Sequence, residues 1–332
     1  MTQTNRRWIY AQAPAGAIET GNFALNDAPV PQPAEGEALV RTTMLSIDPA
    51  SRAWMAGATY RSKLEPGDVM AGWGLGEVVE SRAAALKPGD LVSGEFGWQQ
   101  FTTVPAQHLT KHDPRHRPEH ILSVYGITGL TAYFGLLDVG RPRPGETVLV
   151  SAAAGAVGNI AGQIARIAGC RVIGTAGGAE KCEWLKRDLG FDAALDYKAG
   201  GIYRQLKVAA PEGIDVYFDN TGGDVLSAAL SRMNIGGRIA CCGNVSQYDT
   251  ATPAGGPAGV PGLLVTKRIR MEGFIVMDFY GRRRQAEETL ARWVEEGRLN
   301  PAIDVVDGFE NTPAALTGMF AGKNRGKLLV RV

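Results

Sequence analysis

Apolar positions change rhythm once along this chain, near residue 121, and the change divides the elements they predict. Before that point they fall in short runs suited to strands, at residues 38–45, 76–79, 91–95 and 100–104. Turns rich in glycine and proline separate these runs, and Lys87-Pro88-Gly89-Asp90 is the clearest. Beyond residue 121, strands and helices alternate. A helix signal at 130–137 leads through Arg141-Pro142-Arg143-Pro144-Gly145 into an apolar run at 148–150, suited to a strand buried on both faces. Val157, Ile160, Ala161, Ile164, Ala165 and Ala168 then recur at helical spacing, and a second strand is predicted at 171–175. Further strands at 193–195, 216–219, 238–241 and 270–276 alternate with helices near 202–208, 225–233 and 283–296. The chain ends in a short strand at 327–332, and residues 252–262 read as a Pro/Gly-rich loop. Such alternation is the signature of a doubly wound parallel sheet.

Between the first strand of that region and its helix stands Ala153-Ala154-Gly155-Ala156-Val157-Gly158, a GxGxxG turn with Ala153 in place of the first glycine. Gly155 lets backbone approach a pyrophosphate, Gly158 lets the helix pack closely on the strand, and the helix N-terminus aims free N–H groups at phosphate. An NAD site usually places an Asp or Glu at the end of the second strand. Here that end is the neutral Gly174-Thr175-Ala176-Gly177-Gly178, which leaves space for a 2′-phosphate, with Lys181 just beyond it. Spacing alone leaves Lys181 equally readable as a solvated helix lysine beside Glu180. Asn220, after apolar Val216 to Phe218, fits the ligand-binding end of a parallel strand, or a turn ahead of Gly222-Gly223.

A length of 332 residues predicts two domains, and 45% apolar with 21% charged residues is ordinary for a globular protein. The net charge of +1 argues against a nucleic-acid partner. No apolar run reaches the roughly 18–20 residues that span a bilayer, so no membrane partner is expected. The opening MTQTNRRWIYAQ carries no hydrophobic core of a secretory signal, and the four cysteines, 170, 182, 241 and 242, show no disulfide-framework spacing. A cytoplasmic protein is expected. His108, His112, His116 and His120 recur every fourth residue, but Pro114 and Pro118 break any helical metal-binding face. No cysteine precedes residue 170 and no Gly-His-Glu triplet occurs, so no metal site is expected.

Several ordered stretches carry a resemblance: Leu45-Ser46-Ile47-Asp48-Pro49, Gly129 to Leu136, Ala152 to Gly158, Tyr217-Phe218-Asp219-Asn220, Gly236 to Tyr248, and Gly322-Lys323-Asn324-Arg325-Gly326-Lys327. Over nearly its whole length the chain resembles the medium-chain dehydrogenase/reductase superfamily. Within it, the likeness is to the zinc-independent branch of NADPH-dependent alkenal and prostaglandin reductases, which includes bacterial curcumin reductases. The resemblance implies an α/β fold: a Rossmann domain with a doubly wound parallel sheet (126–299), inserted into a β-rich GroES-like catalytic domain (1–125 and 300–332). It further implies NADPH/NADP+ as cofactor. The turn Gly155, Ala156, Val157 and Gly158 would hold the pyrophosphate, with Lys181 and Tyr197 at the 2′-phosphate and Asn220 near the nicotinamide-side ribose. Cys242 to Tyr248 would run along the cofactor, Cys242, Gly243 and Tyr248 among them binding it, Phe274, Ile275 and Val276 would border the nicotinamide, and Asn324 would reach in from the tail.

With no zinc ligands, the expected reaction is hydride addition to the β-carbon of an α,β-unsaturated ketone or aldehyde. Negative charge then builds on the carbonyl oxygen, where one or two hydrogen-bond donors can stabilise it. Tyr248 matches the tyrosine given that role in similar reductases, with the cofactor's ribose 2′-OH as co-donor. As a bare residue type, a loop tyrosine is more often packing. The chain departs from its relatives at Ala50, where many carry Tyr after Asp-Pro, and at Gly126-Ile127-Thr128-Gly129, where Gly-Met-Pro-Gly is commoner. Tyr60, Trp73, Phe279 and Tyr280 could line a pocket for a bulky aromatic enone, or serve as ordinary packing. A quinone reductase is the nearest enzymatic rival, and an NADPH-binding sensor or structural protein without turnover is the rival of another class. By analogy a homodimer is expected.

Overall fold

The computed structural model describes residues 4–252 and 255–332. Its first part runs β1 (Thr4–Tyr10), β2 (Phe23–Pro29), β3 (Glu37–Ile47), α1 (Ala50–Ala56), β4 (Trp73–Ser81), β5 (Leu91–Glu95), β6 (Phe101–Pro105), β7 (Thr110–Lys111) and α2 (Pro118–Ile121). Alternation follows: α3 (Ile127–Phe134), β8 (Thr147–Val150), α4 (Ala156–Ile167), β9 (Arg171–Ala176), α5 (Ala179–Leu189), β10 (Ala193–Asp196), α6 (Ile202–Ala209) and β11 (Ile214–Asp219). The remainder is α7 (Gly223–Arg232), β12 (Met233–Cys241), α8 (Val260–Lys267), β13 (Arg270–Gly273), α9 (Arg283–Glu295), β14 (Ile303–Asp307), α10 (Thr312–Phe320) and β15 (Lys327–Arg331).

Six strands form one sheet in the order β10-β9-β8-β11-β12-β13, every pairing parallel. Numbered within the sheet this is 3-2-1-4-5-6, and the order reverses between β8 and β11, the crevice where open α/β sheets bind ligands. The strand run at 148–150 is buried on both faces, as its composition requires. Val148 and Val150 face a cluster with Ile160 and Ile164 of α4 and Leu290 of α9, while Leu149 faces Leu206 of α6 and Leu226 of α7. The period of two in a strand makes this split obligatory.

A second sheet, β14-β15-β3-β4-β5-β7 with β6 also on β3, draws its strands from both ends of the chain. Its tail strand β15 lies antiparallel to β3 and parallel to β14. The link between the tail and the other sheet is direct: Gly326 N–H donates to Ala154 O at 2.8 Å, and Gly326 bridges Gly155.

Several boundaries differ from expectation, and β12 begins at Met233, ahead of the predicted start at 238. The helix predicted at 130–137 is α3, which ends at Phe134 and continues as a widened π-type turn, Gly135–Gly140. A Cβ on Gly135 would stand 2.2 Å from the Phe274 ring, so this turn gives way to that ring. The strand predicted at 270–276 stops at Gly273, because Phe274 leaves the sheet plane to pack on Phe218 and Phe279. Helix α8 begins at Val260 inside the stretch read as loop; residues 253 and 254 of that loop lie outside the described residues.

Candidate active site

The turn after β8 is held by strain and by glycine. Ala152 adopts a left-handed φ of 47°, rare for a residue with a Cβ, and its carbonyl then accepts the Gly155 N–H at 2.9 Å. Ala153 N–H is tied across to Thr175 O at 2.8 Å. Helix α4 starts at Ala156 with Gly155 as its N-cap and no side chain closing the cap. The first-turn N–H groups of Ala156, Val157 and Gly158 therefore have no helical acceptor and point out of the helix end, as an anion site requires.

Asn220 sits at the sheet's reversal point. Its Nδ2 donates to Ser151 O at 2.7 Å and its backbone N–H to Ser151 Oγ at 2.8 Å, which joins the carboxyl ends of β8 and β11. The preceding Asp219 is buried, and its Oδ1 accepts from Tyr217 Oη, Thr221 N and Gly222 N at 2.7–2.9 Å, which fixes the turn. Cys242 and Gly243 follow, both donating N–H to Asp219 O. Burial, and then Asp219, push the Cys242 thiol up to about 12, so it acts as packing and not as a nucleophile.

Beyond the end of β9 lies an open groove of about 630 Å³ whose lining includes Gly177, Lys181, Asp304, Lys323 and Arg325. Lys181 is half-buried, and its Nζ donates to Asn324 O at 2.6 Å. Burial first, then the charges of Lys198 and Arg325, hold this ammonium below the ordinary lysine range. Cations crowded against one another in this way favour an anionic ligand. The Tyr197 hydroxyl and Lys198 Cε would stand 2.8 and 3.0 Å from a Cβ on Gly177, so glycine there lets both close over the turn. Arg325 also pairs with Glu180. Lys198 and Arg325 are not among the expected site residues, although each neighbours one, Tyr197 and Asn324 respectively.

The neutral β9 end, the cation-lined groove, the uncapped N-terminus of α4 and the open face of Gly155, whose added Cβ would meet only Ala152 O at 3.1 Å, fit a dinucleotide carrying a 2′-phosphate.

At the other end of the crevice Tyr248 is half-buried above Gly243, whose added Cβ would lie 3.6 Å from the phenol oxygen. Asn244 N–H donates to that oxygen at 3.2 Å, leaving the phenol's own O–H to donate elsewhere. Tyr60 is 53% exposed, and desolvation first, then Asp48 and Tyr248, raise its phenol above the ordinary range. Ala50 opens α1, whose Arg52 pairs with Asp249 beside Tyr248. Trp73 and Tyr280 share a seam of only about 20 Å³, with Ser46, Asp48, Thr128 and Arg283, room for about one water. Phe279 stacks on Phe134 at 5.0 Å, and Phe274 packs in the same cluster. Val276 is buried, and Ile275 is 39% exposed. Asn324 Nδ2 donates to Gly326 O.

Of the histidines, His112 is the most constrained. Its Nε2 lies 2.7 Å from Ser93 Oγ, and burial, then Arg283 and His116, bring its pKa down to about 4. Among the described residues no group of three or more His, Cys, Asp or Glu gathers in metal-binding reach.

Comparison with known proteins agrees with this arrangement. Residues 6–112 match the family described as the N-terminal domain of oxidoreductase, and residues 156–296 match the zinc-binding dehydrogenase family. The chain is 42% identical to the NADPH-dependent curcumin reductase of Escherichia coli (strain K12), over 99% of this chain and 97% of that protein. It is also 42% identical to prostaglandin reductase 1 of Mus musculus, over 98% of each. The crystal structure of CurA in complex with NADPH from Vibrio vulnificus superposes with a TM-score of 0.94 at 39% identity, covering 98% of this chain and 99% of that one.

Proposed function

The chain belongs to the medium-chain dehydrogenase/reductase family, and from that premise we propose that it is an NADPH-dependent reductase of the carbon–carbon double bond in α,β-unsaturated ketones and aldehydes. The observation that carries this reading is the meeting, around one sheet reversal, of a cation-lined groove at one end and a phenol with a free O–H at the other. The names of the two relatives at 42% identity, both reductases and one NADPH-dependent, support it.

In this reading residues 126–299 hold the cofactor, while residues 1–125 and 300–332 close over the substrate. The helix N-terminus at Ala156, Val157 and Gly158 takes the pyrophosphate. Lys181, with Tyr197, Lys198 and Arg325, takes the 2′-phosphate, and Asn220 orients the nicotinamide-side ribose. Cys242, Gly243 and Asn324 would line the cofactor, and Phe274, Ile275 and Val276 would border its nicotinamide. Bound NADPH supplies a hydride to the β-carbon of the substrate. The Tyr248 O–H donates a hydrogen bond to the carbonyl oxygen as charge builds there, and the resulting enolate takes the proton that completes the reduction at its α-carbon from water. One such donor contributes about 10²–10³ in kcat. Ala50 and Tyr60 form the substrate wall, Ala50 leaving room for a broad ring system, while Trp73 and Tyr280 close a seam that admits only about one water and Phe279 packs on Phe134.

The working enzyme is a cytoplasmic homodimer. Four free thiols suit a reducing compartment, and β13, an edge strand beside the exposed Val265 of α8, offers unpaired backbone to a second copy. Sedimentation velocity tests the dimer. The activity is tested by incubating purified protein and NADPH with enals, enones, chalcone-like compounds and simple quinones, with products identified by mass spectrometry. Saturated ketones and aldehydes are expected, formed faster than quinone is consumed. Faster quinone turnover, or NADPH binding without turnover of any acceptor, overturns the proposal. The Tyr248→Phe variant should lose about 10²–10³ in kcat while keeping its NADPH affinity.

A further inference from the structure

The Tyr248 loop ends on a buried ion pair that the reaction does not obviously need. Arg52, 6% exposed, reaches from α1 to Asp249, the residue after Tyr248, with Nε 3.2 Å from Asp249 Oδ1. The same carboxylate oxygen accepts the Ile18 N–H at 2.7 Å, and Arg52 Nη2 donates to Gly16 O at 3.2 Å. One guanidinium and one carboxylate therefore bind three segments together: α1, the stretch around 16–18, and the loop that carries Tyr248.

These segments belong to opposite sides of the crevice. Helix α1 follows β3 of the seven-stranded sheet, and the Tyr248 loop follows β12 of the six-stranded one. The start of the loop is tied to its own side, through Val245 N to Asn220 O and Ser246 N and Oγ to Thr221 O. Among the described residues Tyr248 itself bonds only within the loop, its N–H to Val245 O at 3.3 Å and its oxygen from Asn244 N–H. Those bonds travel with the loop and do not locate it. The tie that locates its far end is Asp249.

Energetics point the same way. A buried ion pair contributes little net stability compared with apolar side chains of the same shape, so its presence is poorly explained by stability alone. Arginine presents its donors in a rigid planar fork, and two of its nitrogens, Nε and Nη2, are used here to reach different segments.

We infer that the Arg52–Asp249 pair is a positioning device, setting the Tyr248 phenol against the substrate carbonyl when the two sides of the crevice meet. The inference rests on the reading of Tyr248 as the hydrogen-bond donor to the substrate carbonyl. Displacing a catalytic group by about 1 Å costs on the order of 10²-fold in rate. Arg52 and Asp249 touch no reacting atom and act through the loop.

The test uses full-length protein saturated with NADPH and an enone that it reduces. Asp249→Asn is expected to lower kcat about 10–10²-fold, change the solvent deuterium isotope effect on kcat, and leave the NADPH dissociation constant within about threefold. Arg52→Lys should recover part of what Arg52→Gln loses. The Arg52→Gln/Asp249→Asn double variant leaves no lone buried charge, so it guards against misfolding and should show the same kcat loss. In a Tyr248→Phe background, Asp249→Asn should cost less than about threefold, because its effect passes through the missing phenol. A fully additive loss in that background, or wild-type kcat in Asp249→Asn, overturns the inference while Tyr248 keeps its role. Wild-type turnover in Tyr248→Phe overturns both.

Discussion

Gly155 and Gly158 belong to one turn, yet they should fail in different ways when replaced by alanine. A Cβ on Gly158 would lie 2.3 Å from Ala152 O, 2.8 Å from Ala153 Cα and 2.9 Å from Ala152 C, all backbone atoms. None can yield cheaply, since Ala152 already holds a left-handed φ and Ala153 N–H is bonded to Thr175 O across β9. To restore ordinary contact α4 must retreat from the end of β8 by about 1 Å. Overpacking of this kind costs about 1–3 kcal/mol, a loss of several degrees in Tm. The same retreat draws the first-turn N–H groups away from the pyrophosphate, and each charge-assisted bond lost weakens binding by about 1.5–3 kcal/mol.

Gly155 is different. Its φ of −86° and ψ of −179° are open to any residue, and an added Cβ meets only Ala152 O, at 3.1 Å. Gly155→Ala should therefore keep its apo Tm within about 1 °C, given so small a perturbation. It should still bind NADPH at least about tenfold more weakly, because the methyl group stands where backbone approaches phosphate. Thermal melting of the apo protein and fluorescence titration with NADPH separate the two effects. Gly158→Ala with wild-type Tm, or Gly155→Ala with wild-type NADPH affinity, would refute the reasoning.

Lys181→Met should remove a like-charge cluster from the apo protein and hold or raise its Tm, while raising the NADPH dissociation constant about 10–100-fold and leaving that for NADH unchanged. Parallel titrations with the two cofactors check it. Gly177→Ala presses on the mobile ends of Tyr197 and Lys198, so Tm should hold while the preference for NADPH over NADH narrows. The His112 imidazole stays neutral in the folded protein down to about 4, whereas an unfolded histidine takes its proton near 6.5. The unfolded chain therefore binds more protons between those values, and stability should fall on the order of 2–3 kcal/mol as pH drops from about 6.5 to about 4. Above about 6.5 this group contributes no slope. Urea unfolding across that range should show the acid limb, and His112→Gln should flatten it.

The parallel sheet was readable because its signals are local. Val148 to Val150 are apolar at every position, the following helix repeats on its own period, and Gly155 and Gly158 stand between them. Each of these properties belongs to consecutive residues. The hairpin of β1 and β2 was passed over because β2 is largely exposed and carries Asn26, Asp27 and Pro29, which mask its alternation. Helix α1 was missed for a related reason: with seven residues it is too short to show a period. The π-type turn and the early end of β13 share one cause, the Phe274 ring lodged against Gly135, a contact between residues far apart in the chain.

The same limit explains the site. Lys181, Asn220 and Tyr248 each come shortly after the carboxyl end of a strand of the parallel sheet, β9, β11 and β12, so the order of elements brings them to one edge. Arg52 and Asp249 are separated by 197 residues, and neither stands in a motif that suggests the other. In sequence Asp249 is an acidic residue in a loop and Arg52 a basic residue after Ala50-Ser51. Only closure of the chain, with β15 returning beside β3 and Gly326 docking on Ala154, faces the two bodies so that this pair forms. What the local pattern encodes is where a dinucleotide lies; what holds the phenol over it depends on how the two ends of the chain meet around that site.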